Sequence, residues 1–399
     1  MNHEQEQELI EKLLTRGVHA IYPTEEMLRK QLESGKRLRF YLGIDPTSPH
    51  LHIGHAIGLR KLRLFQELGH EVILLLGSFT AMIGDPTDKL AARTQLTQKQ
   101  VLENAATYKK QASKILRFTG KNPAKIMFNH KWLARLDFAE VIDLASHFTV
   151  QQMLERDMFE KRITDEKPIY LHEFFYPLMQ GYDSVAMDVD GEIGGSDQMF
   201  NMLAGRDLLK EMKGKEKVVL TMKLLTNAEG EKMSKSAGGF IALDEEPQEM
   251  YGKIMSMDDS MIIPYFELAT DRSLEEIEGM KVQMTQGVNP RDVKMQLAGE
   301  IVTIFHGKEA AEGAEEAFKN LFQQHEQPDV IEEFSLTLPM NIIDALVETR
   351  LATSRSEAKR LLSQQAIKMD GTVVGDETMT IETYGVVLQR GKRQFAKLK

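Results

Sequence analysis

The chain has 399 residues, 42% hydrophobic and 28% charged, with a formal net charge of −10. That length can bury two or three packed cores. The absence of cysteine excludes disulfides and thiolate metal sites, and the acidic balance speaks against a protein that coats nucleic acid with its whole surface.

The chain opens on Met1-Asn2-His3-Glu4-Gln5-Glu6, polar and without a signal-like apolar core. No apolar run approaches the ~18 residues of a membrane span, so a cytoplasmic, membrane-free enzyme is expected. Leu38 to Ile44 reads as a short strand and Asp45-Pro46-Thr47-Ser48-Pro49 as a turn. From about Gly54 the apolar positions Ile57, Leu59, Leu62, Phe65 and Leu68 recur at helical spacing. His52-Ile53-Gly54-His55 therefore stands at a helix start behind a strand and a tight turn. Such a start offers free N–H groups and a positive dipole end to phosphate. Gly54 lets a base or ribose approach the backbone. Two imidazoles can donate to phosphate oxygens as the α-phosphate becomes five-coordinate.

Glu71 to Gly77 is nearly all apolar, as a central parallel strand requires. The stretch from about 116 to 170 is expected to be mostly helical, an insertion between two halves of a sheet. Tyr176, Gln180 and Asp183 share one helical face, and a polar stripe in an otherwise apolar helix calls for a polar ligand. Strand Val218 to Leu220 and the turn-rich Asn227-Ala228-Glu229-Gly230 lead to Lys232-Met233-Ser234-Lys235-Ser236, followed by Ala237-Gly238-Gly239. Two lysines three apart in a small-residue loop can close over a triphosphate and neutralise departing pyrophosphate.

The alternation over residues 1–225 predicts an α/β, Rossmann-like doubly wound parallel sheet. A loop over 226–244 and a helical domain over 245–325 follow, including helices over Ser273 to Met284 and Pro290 to Phe305. Residues 323–329 form a polar linker. Residues 339–399 carry ten Lys/Arg and seven Asp/Glu, a net of +3 against −13 for the rest. There Ser354-Arg355-Ser356-Glu357 has the form of a capping box, and Ile367 to Val374 that of a hairpin with an Asp370-Gly371 turn. A small α+β module with a basic face results.

The two signatures, His52-Ile53-Gly54-His55 and Lys232-Met233-Ser234-Lys235-Ser236, resemble those of class I aminoacyl-tRNA synthetases. Nearly the whole chain is similar to the bacterial tyrosyl-tRNA synthetase family. Further matching strings are Tyr41-Leu42-Gly43-Ile44-Asp45-Pro46-Thr47, Ile83-Gly84-Asp85-Pro86-Thr87, Tyr176-Pro177-Leu178-Met179-Gln180-Gly181-Tyr182-Asp183 and Ile193-Gly194-Gly195-Ser196-Asp197-Gln198.

The resemblance implies a two-step reaction. Tyrosine carboxylate attacks the α-phosphate of ATP to give tyrosyl-adenylate and pyrophosphate. The terminal ribose hydroxyl of tRNA(Tyr) then takes the acyl group and releases AMP. It implies a catalytic set of His52, His55, Thr47, Lys232 and Lys235. ATP contacts are expected at Gly43, Asp45, His52, Gly54, His55, Gly195, Asp197, Lys232, Lys235 and Ser236. Tyr41 and Asp183 would bind the phenolic hydroxyl, and Asp85, Tyr176 and Gln180 the ammonium group. Gln198 would lie near the substrate carboxyl, and Lys89 and Arg93 would grip pyrophosphate. Many family members have glutamine where this chain has Glu192, and a second bacterial subgroup of the family carries glutamate there. Mg²⁺ is expected to ride on the ATP phosphates, with no protein metal site and no tightly bound cofactor.

The C-terminal module resembles a small RNA-binding domain of a ribosomal protein, which implies tRNA contacts at Arg355, Lys359, Arg360 and Lys368. A homodimer is implied, expected through residues 125–165 and the apolar set Phe148, Val150, Met153, Leu154 and Phe159. Three rivals are weighed, the first a non-catalytic RNA-binding or splicing protein on a synthetase frame, which the intact His52, His55 and Lys232 oppose. A tryptophanyl-type synthetase shares the layout but usually lacks the Tyr41 and Asp183 positions and the C-terminal RNA-binding domain. A small-molecule adenylyltransferase shares the His-x-Gly-His start but needs neither the full lysine loop nor an RNA-binding tail.

Overall fold

A computed structural model describes residues 2–86, 96–155, 157–226, 240–322, 331–391 and 394–399. The chain divides into two compact units, 1–311 and 312–399. The first is built on a six-stranded sheet of β1 (Val18–Tyr22), β2 (Arg39–Ile44), β3 (Glu71–Leu76), β4 (Lys125–Phe128), β5 (Gly191–Gly195) and β6 (Val218–Met222). Their order across the sheet is β1-β6-β5-β2-β3-β4. All neighbours run parallel except β1, which pairs antiparallel with β6 at the edge.

The central strands are apolar on both faces because helices cover both. Phe40, Leu42 and Val72 to Leu76 are buried throughout. The Phe40 ring stacks on Phe65 at 3.9 Å between centroids. It fills the space beside Gly191, where an added Cβ would lie 2.1 Å from the ring. Glycine at the start of β5 is thus a packing requirement of its neighbour on β2.

Helices α1 (His3–Thr15), α2 (Glu25–Glu33), α3 (Ile53–Glu67), α4 (Thr80–Ile83), α5 (Gln98–Ala105) and α6 (Tyr108–Ala112) precede β4. Next come α7 (His130–Leu133), α8 (Phe138–Ser146), α9 (Val150–Leu154), α10 (Asp157–Thr164), α11 (Phe175–Met187) and α12 (Met199–Lys213). After the sheet run α13 (Pro247–Ser256), α14 (Ile262–Ala269), α15 (Leu274–Thr285), α16 (Pro290–His306) and α17 (Lys308–Phe322). The two helices expected after residue 270 appear as α15 and α16, started by Ser273 and Asn289 as side-chain caps.

One stretch differs from the sequence expectation. Residues 116–170 are not all insertion, since they contain β4, which extends the sheet beyond β3. Four residues, Lys-Ile-Met-Phe, are too short for alternation to declare itself, and only the neighbouring edge of β3 makes them a strand.

The second unit has its own core, with Ile342, Leu346, Leu362, Leu388 and Leu398 buried together. Besides most of α17, its helices are α18 (Ile342–Glu348) and α19 (Arg355–Ser363). Its strands are β7 (Glu333–Phe334), β8 (Met340–Asn341), β9 (Ile367–Met369), β10 (Thr372–Val374), β11 (Thr380–Ile381), β12 (Val387–Arg390) and β13 (Gln394–Leu398). They form a five-stranded sheet, β10-β9-β12-β13-β7, and a separate β8–β11 pair. The expected hairpin is β9–β10, with Asp370 at φ 49° and Gly371 at φ 82°, as a tight primed turn requires. Because β7 pairs in parallel with β13, the folded module begins before 339.

The expected capping box at α19 is half formed. Ser354 Oγ accepts from the Glu357 N–H at 3.2 Å. The Glu357 carboxylate instead accepts from Thr353 N–H and from Arg390.

Candidate active site

In an open parallel sheet, ligands gather beyond the carboxyl ends of the strands where the chain order reverses. Here that point lies between β2 and β5, whose successors β3 and β6 lie on opposite sides. The segments leaving β2, β3 and β5 and the face of α11 carry most of the residues singled out from the sequence.

α3 begins there. His52 is its N-cap, and its Nδ1 accepts from Gly54 N–H at 3.1 Å. His55 Nδ1 accepts in turn from His52 N–H at 3.2 Å. Both Nδ1 atoms are therefore acceptors, and each neutral ring must carry its proton on Nε2. The rings lie 3.8 Å apart between centroids. Gly54 is needed first by the protein itself, since a Cβ there would lie 2.8 Å from His52 Cε1. The backbone before α3 bridges to the segment after the lysine loop. Ile53 N–H donates to Ile241 C=O at 3.0 Å and Leu243 N–H to Leu51 C=O at 2.8 Å. Phe240, four residues after Ser236, sets its ring edge-on against His52 at 5.3 Å. Lys232, Lys235 and Ser236, and likewise Lys89 and Arg93, lie outside the described residues.

Asp45 follows β2 and holds two neighbours. Its Oδ1 accepts from Thr80 Oγ at 2.7 Å and its Oδ2 from Tyr176 Oη at 2.9 Å. The carboxylate fits because position 77 is glycine, where a Cβ would stand 1.8 Å from Asp45 Oδ1. Asn129, fully buried, donates to Thr80 Oγ at 3.1 Å and to Asp183 Oδ2 at 3.2 Å. Trp132 Nε1 donates to Asp183 Oδ1 at 2.7 Å. One chain of hydrogen bonds thus runs from Asp183 through Asn129, Thr80 and Asp45 to Tyr176. Burial pushes the Asp183 carboxyl well above the usual range, and the bonds from Trp132 and Asn129 pull it back toward the anion.

A second chain lies across α11. Tyr41 Oη is 3.0 Å from Ser184 Oγ. Ser184 Oγ accepts from Lys217 Nζ at 2.9 Å, and Lys217 pairs with Glu192 Oε2 at 2.6 Å. Glu192 Oε1 accepts from Gln180 Nε2 at 2.9 Å. Burial raises the Tyr41 hydroxyl strongly, and the charges of Glu192 and Asp183 raise it further. Tyr176 rises likewise by burial, then through Asp45 and Asp85. A third link joins Gln198 Nε2 to Asp85 Oδ2 at 2.7 Å, with Asn201 donating to Gln198 at 3.0 Å. Asp197 folds back over Gly195, where a Cβ would come within 2.3 Å of its Oδ1. Gly43 and Thr47 are exposed beside these groups.

Tyr41, Asp45, Asp85, Tyr176, Gln180, Asp183 and Gln198 therefore enter three hydrogen-bonded networks around one switch point. Sequence reasoning missed Lys217, Ser184, Asn129, Trp132 and Thr80. A lysine one residue before a strand reads as a surface charge, and only the carboxylate of Glu192 hinted at a partner.

In the second unit basic residues named from the sequence are paired locally. Arg355 pairs with Asp344, Lys359 with Glu377 at 3.6 Å and Arg360 with Glu357 at 4.0 Å. All three cations remain more than half exposed, so the pairings are weak. Lys368 is half-buried on β9.

Residues 33–323 match the family described as tRNA synthetases class I (W and Y). Residues 324–398 match the tyrosine–tRNA ligase SYY-like C-terminal domain. A tyrosine–tRNA ligase of Moorella thermoacetica is 48% identical over 394 residues, covering 97% of this chain and 95% of that protein. One of Thermotoga maritima is 48% identical over 390 residues, covering 97% and 96%. Among solved structures, a C-terminally truncated mitochondrial tyrosyl-tRNA synthetase of Aspergillus nidulans superposes with a TM-score of 0.66 at 24% identity, over 80% of this chain and all of that one. The tyrosyl-tRNA synthetase of Archaeoglobus fulgidus, complexed with L-tyrosine, gives 0.60 at 23% identity over 78% and 99%. These two structural likenesses establish the fold.

Proposed function

The chain belongs to the class I tRNA synthetases of the tryptophan and tyrosine group, and from that premise we propose how its residues carry out the reaction of a tyrosine–tRNA ligase. The enzyme activates tyrosine with ATP and transfers it to tRNA(Tyr). The observation that carries the choice of amino acid is Asp183, 2% exposed, held as an acceptor by Trp132 and Asn129 at the same switch point as Tyr41. A phenol needs one acceptor and one donor. Asp183 takes its proton and Tyr41 donates to its oxygen. Phenylalanine in the same place strands both groups.

Proton bookkeeping assigns the ammonium end. Tyr176 spends its proton on Asp45, which leaves its oxygen as an acceptor. Gln180 spends its amide nitrogen on Glu192, which leaves its carbonyl oxygen. With the charge of Asp85 these are the acceptors an ammonium group requires.

The substrate carboxylate, ionised already, attacks the α-phosphate of ATP without a general base. His52 and His55 donate from Nε2 to the phosphate oxygens as charge shifts onto them. Gly43, Asp45 and Thr47 border the nucleotide, and Asp197 beside Gly195 takes the ribose hydroxyls. Lys232, Lys235 and Ser236, with Lys89 and Arg93, meet the pyrophosphate as the sequence implies. Mg²⁺ enters with ATP as part of the substrate. Catalysis is positioning and charge stabilisation.

Arg355, Lys359, Arg360 and Lys368 contact the tRNA backbone, and the enzyme works in the cytoplasm with its tRNA. Among the described residues no helix is long and apolar enough to cross a membrane. The chain pairs with a second copy through α8–α10 and the segment after them. Phe138 is 80% exposed there, and Ile142, Val150, Ile163 and Leu171 are exposed with it. Of the set named from the sequence Val150 is exposed on this face, Phe148 and Leu154 are half-buried, and Met153 and Phe159 are buried.

The test is ATP–pyrophosphate exchange with each of the twenty amino acids. Tyrosine should support it far better than phenylalanine or tryptophan. Comparable exchange with tryptophan would overturn the assignment.

A further inference from the structure

Lys217 and Glu192 form a fully buried ion pair, 0% and 3% exposed at the side chain, with Nζ 2.6 Å from Oε2. Desolvating two charges offsets most of their attraction, and a buried pair is often no more stabilising than apolar residues of the same volume. Stability alone therefore gives little reason for it. Its position does. Lys217 lies one residue before β6, and Glu192 is the register partner of Tyr41 across β2 and β5. The pair stands behind the group read above as the sensor of the phenolic hydroxyl.

Hydrogen-bond direction follows from the donor inventory. An ammonium group only donates, so Ser184 Oγ accepts from Lys217. Among the described residues the other contact of the Ser184 hydroxyl is Tyr41 Oη at 3.0 Å. If Ser184 donates there, Tyr41 keeps its own proton for another acceptor. An ammonium group at the head of the chain polarises Ser184 and favours that direction. Glu192 competes for the Tyr41 proton, since both its charge and a hydrogen-bonding interaction with that hydroxyl act on it. Both its oxygens are engaged, one by Gln180 and the other by Lys217.

We propose that Lys217 is a positioning residue for substrate discrimination: through Ser184 it sets the Tyr41 hydroxyl as a donor toward the ligand's phenolic oxygen, and by pairing with Glu192 it weakens that carboxylate's pull on the same proton. The inference rests on tyrosine being the substrate, with Tyr41 and Asp183 reading its hydroxyl. It adds to that reading a specificity device two residues removed from the ligand. Lys217 touches neither substrate nor ATP, and its effect should appear in the choice between tyrosine and phenylalanine.

The experiment measures kcat/KM for both amino acids in pyrophosphate exchange with the full-length enzyme. Two alterations are used: Lys217→Met together with Glu192→Gln, which leaves no lone buried charge, and Ser184→Ala, which cuts the chain with a minimal change of volume. Each should lower the tyrosine-to-phenylalanine ratio about tenfold, the scale of one lost hydrogen bond. The loss should fall on the KM for tyrosine and leave the KM for ATP unchanged. In a Tyr41→Phe background the Lys217/Glu192 change should no longer move the ratio, because the group it orients is gone. A fold defect would lower activity toward both amino acids alike, and Ser184→Ala decides the matter if the double variant does not fold. An unaltered ratio in Ser184→Ala, or the same loss in the Tyr41→Phe background, overturns the relay. A wild-type enzyme that activated no tyrosine would instead overturn the substrate assignment beneath it.

Discussion

At the scale of single residues, the two histidines of α3 do separable jobs. His52 caps the helix through Nδ1, and His55 Nδ1 holds the backbone N–H of His52. In both rings the proton then sits on Nε2, the atom proposed above to donate to phosphate. His55→Ala should slow tyrosyl-adenylate formation by about 10²–10³, the range for losing one preorganised donor to developing charge. Equilibrium dialysis should find tyrosine affinity nearly unchanged, and a large loss of affinity would refute the placement. His52→Ala should also lose about 1 kcal/mol of stability with its cap. His52→Asn should recover that stability, because a short amide also caps, without recovering the rate. Thermal melts paired with single-turnover kinetics separate the two effects.

At the scale of elements, the entry to β2 and β3 depends on a buried imidazole. His70 Nδ1 accepts from Leu38 N–H at 3.3 Å, and Glu71 N–H donates to Leu38 C=O at 2.8 Å. The acceptor role requires a neutral ring. Burial pulls its pKa from 6.5 down to about 4, with Asp190 opposing and Arg37 assisting. Between these values the unfolded chain binds more protons at this site than the folded one, so stability rises with pH there. The contribution is complete above pH 6.5 and is lost as pH falls toward 4. It amounts to up to about 3 kcal/mol. His70→Asn keeps a short acceptor and removes the titration. Urea unfolding across this window should give a flatter pH profile for the variant than for the wild type, and parallel profiles would remove the claim.

At the scale of the whole molecule, two units with separate cores allow separate tests. Every residue assigned to the chemistry lies before residue 240, and the second unit closes its own sheet with β7 against β13. A cut placed at 339 would leave β7 behind, so the informative truncation removes 323–399. Pyrophosphate exchange should stay within about twofold of the full enzyme, because uniform ground-state and transition-state contacts in the first unit are untouched. The KM for tRNA should rise, with a steeper loss at higher salt in the full enzyme than in the truncated one, since phosphate contacts release counterions. Light scattering should still report a dimer, because α8–α10 remain. Unchanged tRNA charging at physiological salt would assign the C-terminal module another task.

The sequence alone determined what is local or periodic. Apolar runs located β2, β3 and β6, helical periodicity located α15 and α16, and Asp370-Gly371 located the hairpin, since each depends on neighbours within a few positions. The spacing of Tyr176, Gln180 and Asp183 was legible for the same reason, and α11 carries all three. Tertiary structure decided what depends on pairing between distant segments. It made Lys-Ile-Met-Phe a strand because β3 offered an edge, and it turned Met153 and Phe159 inward while leaving Phe138 outside. It also joined Lys217 to Glu192, 25 residues away in sequence. A buried charge is defined by what surrounds it, and the groups surrounding Lys217 come from β5, α11 and α12. Their meeting place is set by sheet register, which no local pattern encodes.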